Sequence, residues 1–427
     1  MRNFSMTILL LGILLSCVDC RNNEKQLTLS GNWDAFNKTQ IEKLINIYGK
    51  SSSNYNPEKP PYAVFDCDNT TIFLDIEETN LAYQLENLIF GCTPNQLKDI
   101  LCTGIDTTIV LKDANLSGEK FTTSQIATDI TASYTWLYNN YKPLGGKGSL
   151  TLDEVKKNPN YANFTTKVRF LYDAICNTFT EEIAYPWITY LFTGLDSTQV
   201  REMAAKNVKW QMSQKIGNVV WTSPGSAELP GQQAGQVSVT WKTGLRLVPE
   251  MQDLHNKLRE AGFDVWMCSA SFVDLIKEVV SNPSFGYNDN PTNVIAMELE
   301  RDPNGKILPV FRNGYDQTQR SGKTKAITRF LAGPSGKYGY DPSLVAGDSE
   351  GDQNMLSDFK GLKVGLIINR LKGKNQILGD LCKQAVDTYQ QDNAKYLLQG
   401  RDDNKGIFIP SQEHLKYGST SGTKLPE

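Results

Sequence analysis

A four-residue apolar run, Tyr62-Ala63-Val64-Phe65, stops on Asp66-Cys67-Asp68-Asn69-Thr70, and this constrains the chain more than any other feature. Four apolar residues in a row, preceded by Pro60-Pro61, read as a strand buried on both faces. A strand of that kind needs parallel neighbours, and parallel neighbours need crossover helices. The second half of the sequence supplies them. Residues 250–261 carry Met251, Leu254, Leu258 and Ala261 at helical spacing and end at Gly262, a helix with a glycine stop. Residues 263–268 (FDVWMC) read as a strand and residues 272–280 as a helix. Two strand-like runs in 293–311 meet at Asp302-Pro303-Asn304-Gly305, a hairpin signal. Residues 324–331 read as a helix, and 344–346 and 364–368 as strands. Strand alternating with helix predicts an α/β fold with a doubly wound parallel sheet.

Between the first strand and residue 250 the pattern differs. Residues 76–90, 165–176 and 197–206 have helical spacing, and Asp196 with Gln199 forms a capping-box signature. The expected organisation is a core of residues 61–75 and 250–400, interrupted after its first strand by a large, mostly helical cap, 76–249. Residues 18–60 read as an N-terminal tether and loop. Residues 401–427 read as a tail without a functional signal. With 427 residues, the chain is long enough for two such units at roughly 100–200 residues each.

Residues 1–17 have the form of an export signal. Arg2 precedes a nine-residue apolar run, residues 7–15, too short to span a bilayer. It ends in Leu14-Leu15-Ser16-Cys17, which resembles a bacterial lipobox with Cys17 as the lipidated residue. The expectation is an exported lipoprotein, periplasmic or at the cell surface, that meets the membrane only through its N-terminal lipid. Of the eight cysteines, Cys92 and Cys102 are the pair closed by the shortest loop outside the leader.

Composition excludes several chemistries. Lys and Arg total 44 against 47 Asp and Glu, a net charge of -3, so nothing suggests a nucleic-acid groove. Only two histidines exist, His255 and His414. A hydrolase with so few would draw its nucleophile and its acid/base from carboxylates. His255, beside Leu254, is expected on a helix flank.

Ligands of open α/β sheets bind beyond the carboxyl ends of the strands. Asp66 and Asp68 stand there, and two neighbouring carboxylates repel unless a cation lies between them. Oxygen donors without His or Cys suggest a hard cation, Mg²⁺ first. An EF-hand loop fails, because Thr71 stands where a glycine is needed and a strand precedes the loop. Three further segments follow in order. Ser269-Ala270-Ser271 ends the strand 263–268, and Gly322-Lys323-Thr324-Lys325 opens a helix. Gly347-Asp348-Ser349-Glu350-Gly351-Asp352 ends the strand 344–346. They offer a hydroxyl, a point charge for an anion and a second set of carboxylates.

These four segments resemble the four motifs of haloacid dehalogenase superfamily phosphatases. The resemblance implies Asp66 as nucleophile, Asp68 as general acid/base, and Thr70, Ser269 and Lys323 on the phosphate side, with Lys325 as the alternative lysine. It implies Mg²⁺ held by Asp66, Asp68, Asp348 and Asp352, and a small phosphomonoester as substrate. Between Thr70 and Ser269 lie 198 residues, against 53 between Ser269 and Lys323. An insertion in that place resembles the cap of the phosphoserine-phosphatase-like branch. Tyr185-Pro186-Trp187, residues 191–194 and Asp75-Ile76-Glu77-Glu78 are similar to phosphorylcholine phosphatase relatives. A choline head group would want aromatic faces and a carboxylate: Phe73, Tyr83, Trp136, Trp187 and Tyr190 are candidates, with Asp75 or Glu78. A phosphoserine-type or broad-specificity phosphatase, for which Arg246 could meet a carboxylate, and a non-catalytic cation-binding lipoprotein are the alternatives.

Overall fold

A computed structural model describes residues 27–426; the signal segment and Cys17 lie outside them. Its centre is a six-stranded, all-parallel sheet. The strands are β1 (Tyr62–Phe65), β2 (Asp264–Phe272), β3 (Val294–Met297), β4 (Leu344–Gly347), β5 (Val364–Ile368) and β6 (Tyr396–Gln399), in the order β6-β5-β4-β1-β2-β3. Alternate residues face opposite layers. Ala63 and Phe65 join a core with Met251, Leu254 and Leu258, while Tyr62 and Val64 join one with Ile327, Met355 and Leu378. Both faces are therefore covered, which is why these strands read as unbroken apolar runs.

The winding leaves β1 toward β2 and β3, then returns to place β4 on its other side. Order reverses between β1 and β4, and the crevice at such a reversal is where ligands sit. The register sets the two strand ends level: Val64 pairs with Val345 and Phe65 with Ala346, so Asp66 and Asp348 emerge side by side.

The cap leaves and re-enters the core through two short antiparallel strands, Ile72–Phe73 and Arg246–Leu247. Its largest helices are Ile76–Asn87, Thr123–Asn140, Pro159–Thr178 and Ser197–Ser213. The last begins with the expected Asp196/Gln199 capping box. A hairpin of Gly217–Thr222 and Ser238–Thr243 completes it. Backbone bonds between Ile307 and the Gly194-Leu195 peptide tie the cap to the core hairpin at 302–305.

Three expectations need correction. Residues 18–60 are not all tether: Ala35–Tyr48 is a helix capped by Asp34, with Ile41, Leu44 and Ile45 buried. The helical spacing was present but sat within a polar stretch. The segment 401–427 is not a loose tail either, since three short strands there (Arg401–Asp402, Ile407–Phe408, His414–Leu415) form a sheet with Arg401 and Asp402 buried. His255 is fully buried, its Nδ1 2.7 Å from Asp289 Oδ2, and burial with Arg259 nearby pushes its pKa down to about 3. The pairing of Cys92 with Cys102, which the sequence leaves open, is not made: both are free thiols.

Candidate active site

At the carboxyl ends of β1 and β4 the structure brings three buried carboxylates together. Oxygens of Asp66, Asp348 and Asp352 lie within 4.8 Å of one another. Asp352 comes so close because Gly347 has no side chain; a Cβ there would stand 2.4 Å from that of Asp352. Asp352 Oδ2 accepts the backbone N–H groups of Asp348 and Ser349 at 2.9 and 3.2 Å. Its Oδ1 accepts from Lys323 Nζ at 2.7 Å, and the same ammonium donates to Asp66 Oδ1 at 2.5 Å. Burial alone would lower the Lys323 pKa, but Asp352 and Asp66 hold it well above the ordinary value. Lys323 is thus the lysine of the site, and Lys325 is exposed.

Asp66 is 6% exposed, and its carboxyl is held well above the usual range by burial and by Asp352, against the pull of Lys323. Three carboxylates facing Lys323 and Arg370, which pairs with Asp348, leave one negative charge uncompensated. An all-oxygen donor set with residual negative charge fits a hard divalent cation such as Mg²⁺.

Asp68 is not part of that set, contrary to the expectation for its carboxylate. The chain turns after Asp66, with Asn69 at φ 59°, and Asp68 points the other way. Its Oδ1 accepts from Ile76 N–H at 2.6 Å, at the N-terminus of the first cap helix, and its Oδ2 from the Ser271 hydroxyl at 2.6 Å. Burial, then Asp75 and Asp66, raise its pKa well above the ordinary value.

Two more expected phosphate ligands are displaced. The Thr70 hydroxyl is fully buried, 2.9 Å from Asp348 Oδ1 and 3.4 Å from Asp66 Oδ2, so it links carboxylates. Ser269 is also buried: its Oγ accepts from Ser271 N–H at 3.1 Å and lies 3.5 Å from Asp68 Oδ2. Strand β2 runs on to Phe272, which sets Ser269 deeper and leaves Ala270 and Ser271 to line the cavity.

That cavity, about 470 Å³, lies between the strand ends and the cap. Asp75 and Glu78 line it, as expected of head-group contacts. Trp187 does not: it is 1% exposed, donates Nε1 to Leu101 O at 3.0 Å and packs behind Tyr172. Phe73, Tyr83, Trp136 and Tyr190 also lie elsewhere, and Arg246 spends its guanidinium on carbonyls of Gln211, Gln214 and Leu245. The cap aromatics on the cavity are Tyr172, Tyr185 and Trp241. Sequence reasoning missed Ser271 and Arg370, although both follow the rule that found Asp66. Ser271 is two residues from Ser269 on one extended strand, and Arg370 stands just past the end of β5.

A doubly wound parallel sheet, an Asp-Lys-Asp cluster at its reversal point and a cap inserted after the first strand are the arrangement that the resemblance to haloacid dehalogenase-type hydrolases implies. No family model matches the chain. It is similar to the phosphorylcholine phosphatase of Pseudomonas aeruginosa, with 22% identity over 389 residues, 83% of this chain and 85% of that protein. Among solved structures, a conserved protein of unknown function from Anaerococcus prevotii superposes with a TM-score of 0.83 and 29% identity, over 92% of this chain and 99% of the other. A phosphoserine phosphohydrolase-like protein from Francisella tularensis gives a TM-score of 0.30 at 11% identity, covering 72% and 87%.

Proposed function

We propose that the protein is a Mg²⁺-dependent phosphomonoesterase that works through an aspartyl-phosphate on Asp66, and that its substrate is a small phosphate ester with a cationic head group, such as phosphocholine. The observation that supports the chemistry is the convergence of Asp66, Lys323, Asp348 and Asp352 in one buried cluster. Asp66, Asp348 and Asp352 would hold the ion, which would supply charge neutralisation for the phosphoryl oxygens. Lys323 fixes one Asp66 oxygen and leaves the other to attack phosphorus. As the Asp66 O–P bond forms, the ester P–O bond breaks and Asp68 gives the leaving alkoxide its proton. Asp68 then takes a proton from water, which attacks the phosphorus of the aspartyl-phosphate; phosphate departs and Asp66 is restored.

Charge supports the head group. Ten carboxylates line the cavity against six cationic side chains. All three arginines among them are taken: Arg169 by Glu78 and Asp173, Arg320 by Glu181, Arg370 by Asp348. A carboxylate-bearing substrate would find no unpaired arginine, whereas a quaternary ammonium would find Tyr185 and Trp241 beside Asp75. We further propose export and lipid anchoring through Cys17, on the strength of the leader alone.

The test is turnover of p-nitrophenyl phosphate and of phosphocholine, phosphoethanolamine and phosphoserine, with and without Mg²⁺. Asp66→Asn should abolish turnover, by at least about a thousandfold. Activity surviving that substitution would refute the nucleophile. Equal turnover of phosphoserine and phosphocholine would refute the cationic head group.

A further inference from the structure

Strand β6 ends at Gln399, and the next residues return to the site. Arg401 is 4% exposed and sits under the turn that follows Asp66. Its Nη1 donates to the Asn69 carbonyl at 3.2 Å and its Nη2 to Asn69 Oδ1 at 3.3 Å. Its Nε donates to Asp403 Oδ1 at 2.7 Å, and its guanidinium carbon lies 4.8 Å from the centre of the Phe73 ring. The guanidinium is therefore anchored on one side and grips the turn on the other.

Asn69 needs that grip. It stands at φ 59°, a left-handed conformation that an L-residue adopts at a cost, and it lines the cavity one residue after Asp68. From within, the turn is closed by the Asn69 N–H on the Leu74 carbonyl at 3.1 Å, the Ile72 N–H on the Cys67 carbonyl and the Thr71 hydroxyl on the Asp66 carbonyl at 2.6 Å, none of which holds an oxygen of Asn69. The fork of Arg401 satisfies both the backbone and the side-chain oxygen of the same residue, which fixes its orientation as well as its place.

We propose that Arg401 is a positioning residue for the attacking carboxylate: by holding Asn69 in the left-handed form, it fixes the turn that aims Asp66 toward the metal cluster and Asp68 toward the leaving group. The effect on catalysis rests on the phosphatase reading, whereas the effect on the turn does not. Misplacing a reacting group by about 1 Å costs on the order of a hundredfold, while substrate binding on the cap is untouched.

The experiment compares Arg401→Lys with wild type in steady-state turnover of p-nitrophenyl phosphate and in amide hydrogen exchange. Lysine keeps the buried charge against Asp403 but cannot bridge both Asn69 oxygens. The expected result is a kcat lower by about tenfold or more, a KM changed by less than about threefold, and faster exchange confined to residues 67–71, with β5 unchanged. An unchanged kcat with unchanged exchange at 67–71 overturns the proposal, as does a loss of protection spread over the whole sheet. If Arg401→Lys does not fold, Asn69→Ala carries the test, because it leaves the guanidinium and Asp403 intact; it should give the same local pattern. If wild type hydrolyses nothing, the phosphatase reading has failed separately and the exchange pattern alone decides on Arg401.

Discussion

Glu77 shows how one buried acid reports on the site. One of its oxygens accepts from Phe272 N–H at 2.6 Å, and the other has no partner. Burial pushes its pKa from 4.5 up to about 8, against the pull of that N–H. Folded protein thus keeps a proton that the unfolded chain has released, so Glu77 lowers stability as pH rises from about 4.5 to about 8. Glu77→Gln removes this dependence. Its melting temperature should fall less than that of wild type between pH 5 and pH 8, and at pH 8 it should match or exceed wild type. Parallel curves in a thermal melt series would contradict the assignment. Asp75, raised to about 7 by burial and by Glu78, adds to the same trend in both proteins, so the comparison is one of slopes. None of this was legible beforehand. The carboxylates past the ends of β1 and β4 could be read from position alone, whereas Glu77 was noted only as part of the segment Asp75-Ile76-Glu77-Glu78, with no role of its own. Nothing in the letters says that its side chain faces Phe272.

At the scale of elements, the cap carries its own buried ion pair. Lys167 on the helix Pro159–Thr178 is 0% exposed and lies 2.7 Å from Asp129 on the helix Thr123–Asn140. Asp129 also accepts the N–H groups of Gln233 and Ala234 at 2.8 and 2.9 Å, and Lys167 donates to Gln232. The pair therefore seats the loop between the two hairpin strands, and the hairpin brings Trp241 to the cavity. Removing one partner leaves the other charge buried and unpaired, which costs about 3 kcal/mol or more. Lys167→Met should lower urea stability by that order and raise KM by loosening the hairpin. A variant as stable as wild type would show that the pair is dispensable. The helices around it were visible as apolar spacing, and the Asp196/Gln199 cap was visible as a motif. The aromatic residues misled for a physical reason: Trp187, Phe73 and Tyr190 bury large apolar areas, and a cap needs its own core before it can offer a surface. Exposure to a cavity depends on packing between elements, which no local window contains.

For the whole molecule, the site is a joint product of segments far apart in sequence, each delivered to one edge of one sheet. Strand ends supply Asp66 from β1, Ser271 from β2, Asp348 from β4, Arg370 from β5 and Arg401 from β6. The first, second and fourth strands announced themselves by their motifs. The last two carry arginines that look like ordinary surface charges until the strand order is known, which is why the segment after Gln399 read as uninformative. Cation binding should be felt across this assembly, since the ion would relieve repulsion that folding imposes. Addition of Mg²⁺ should raise the melting temperature of wild type by a few degrees, roughly the effect of 1–3 kcal/mol. EDTA should reverse it, and Asp348→Asn should abolish it. A melting temperature indifferent to Mg²⁺ and EDTA would remove the metal from the account.

The placement of Arg401 has a bearing on when such a protein can act. The proposed nucleophile is made early on the ribosome, but the side chain proposed to steady its turn is synthesised more than 330 residues later. A nascent chain, or one released short of that arginine, carries the attacking acid without its brace. On the proposed role of Arg401, turnover waits on the sixth strand and the segment that follows it.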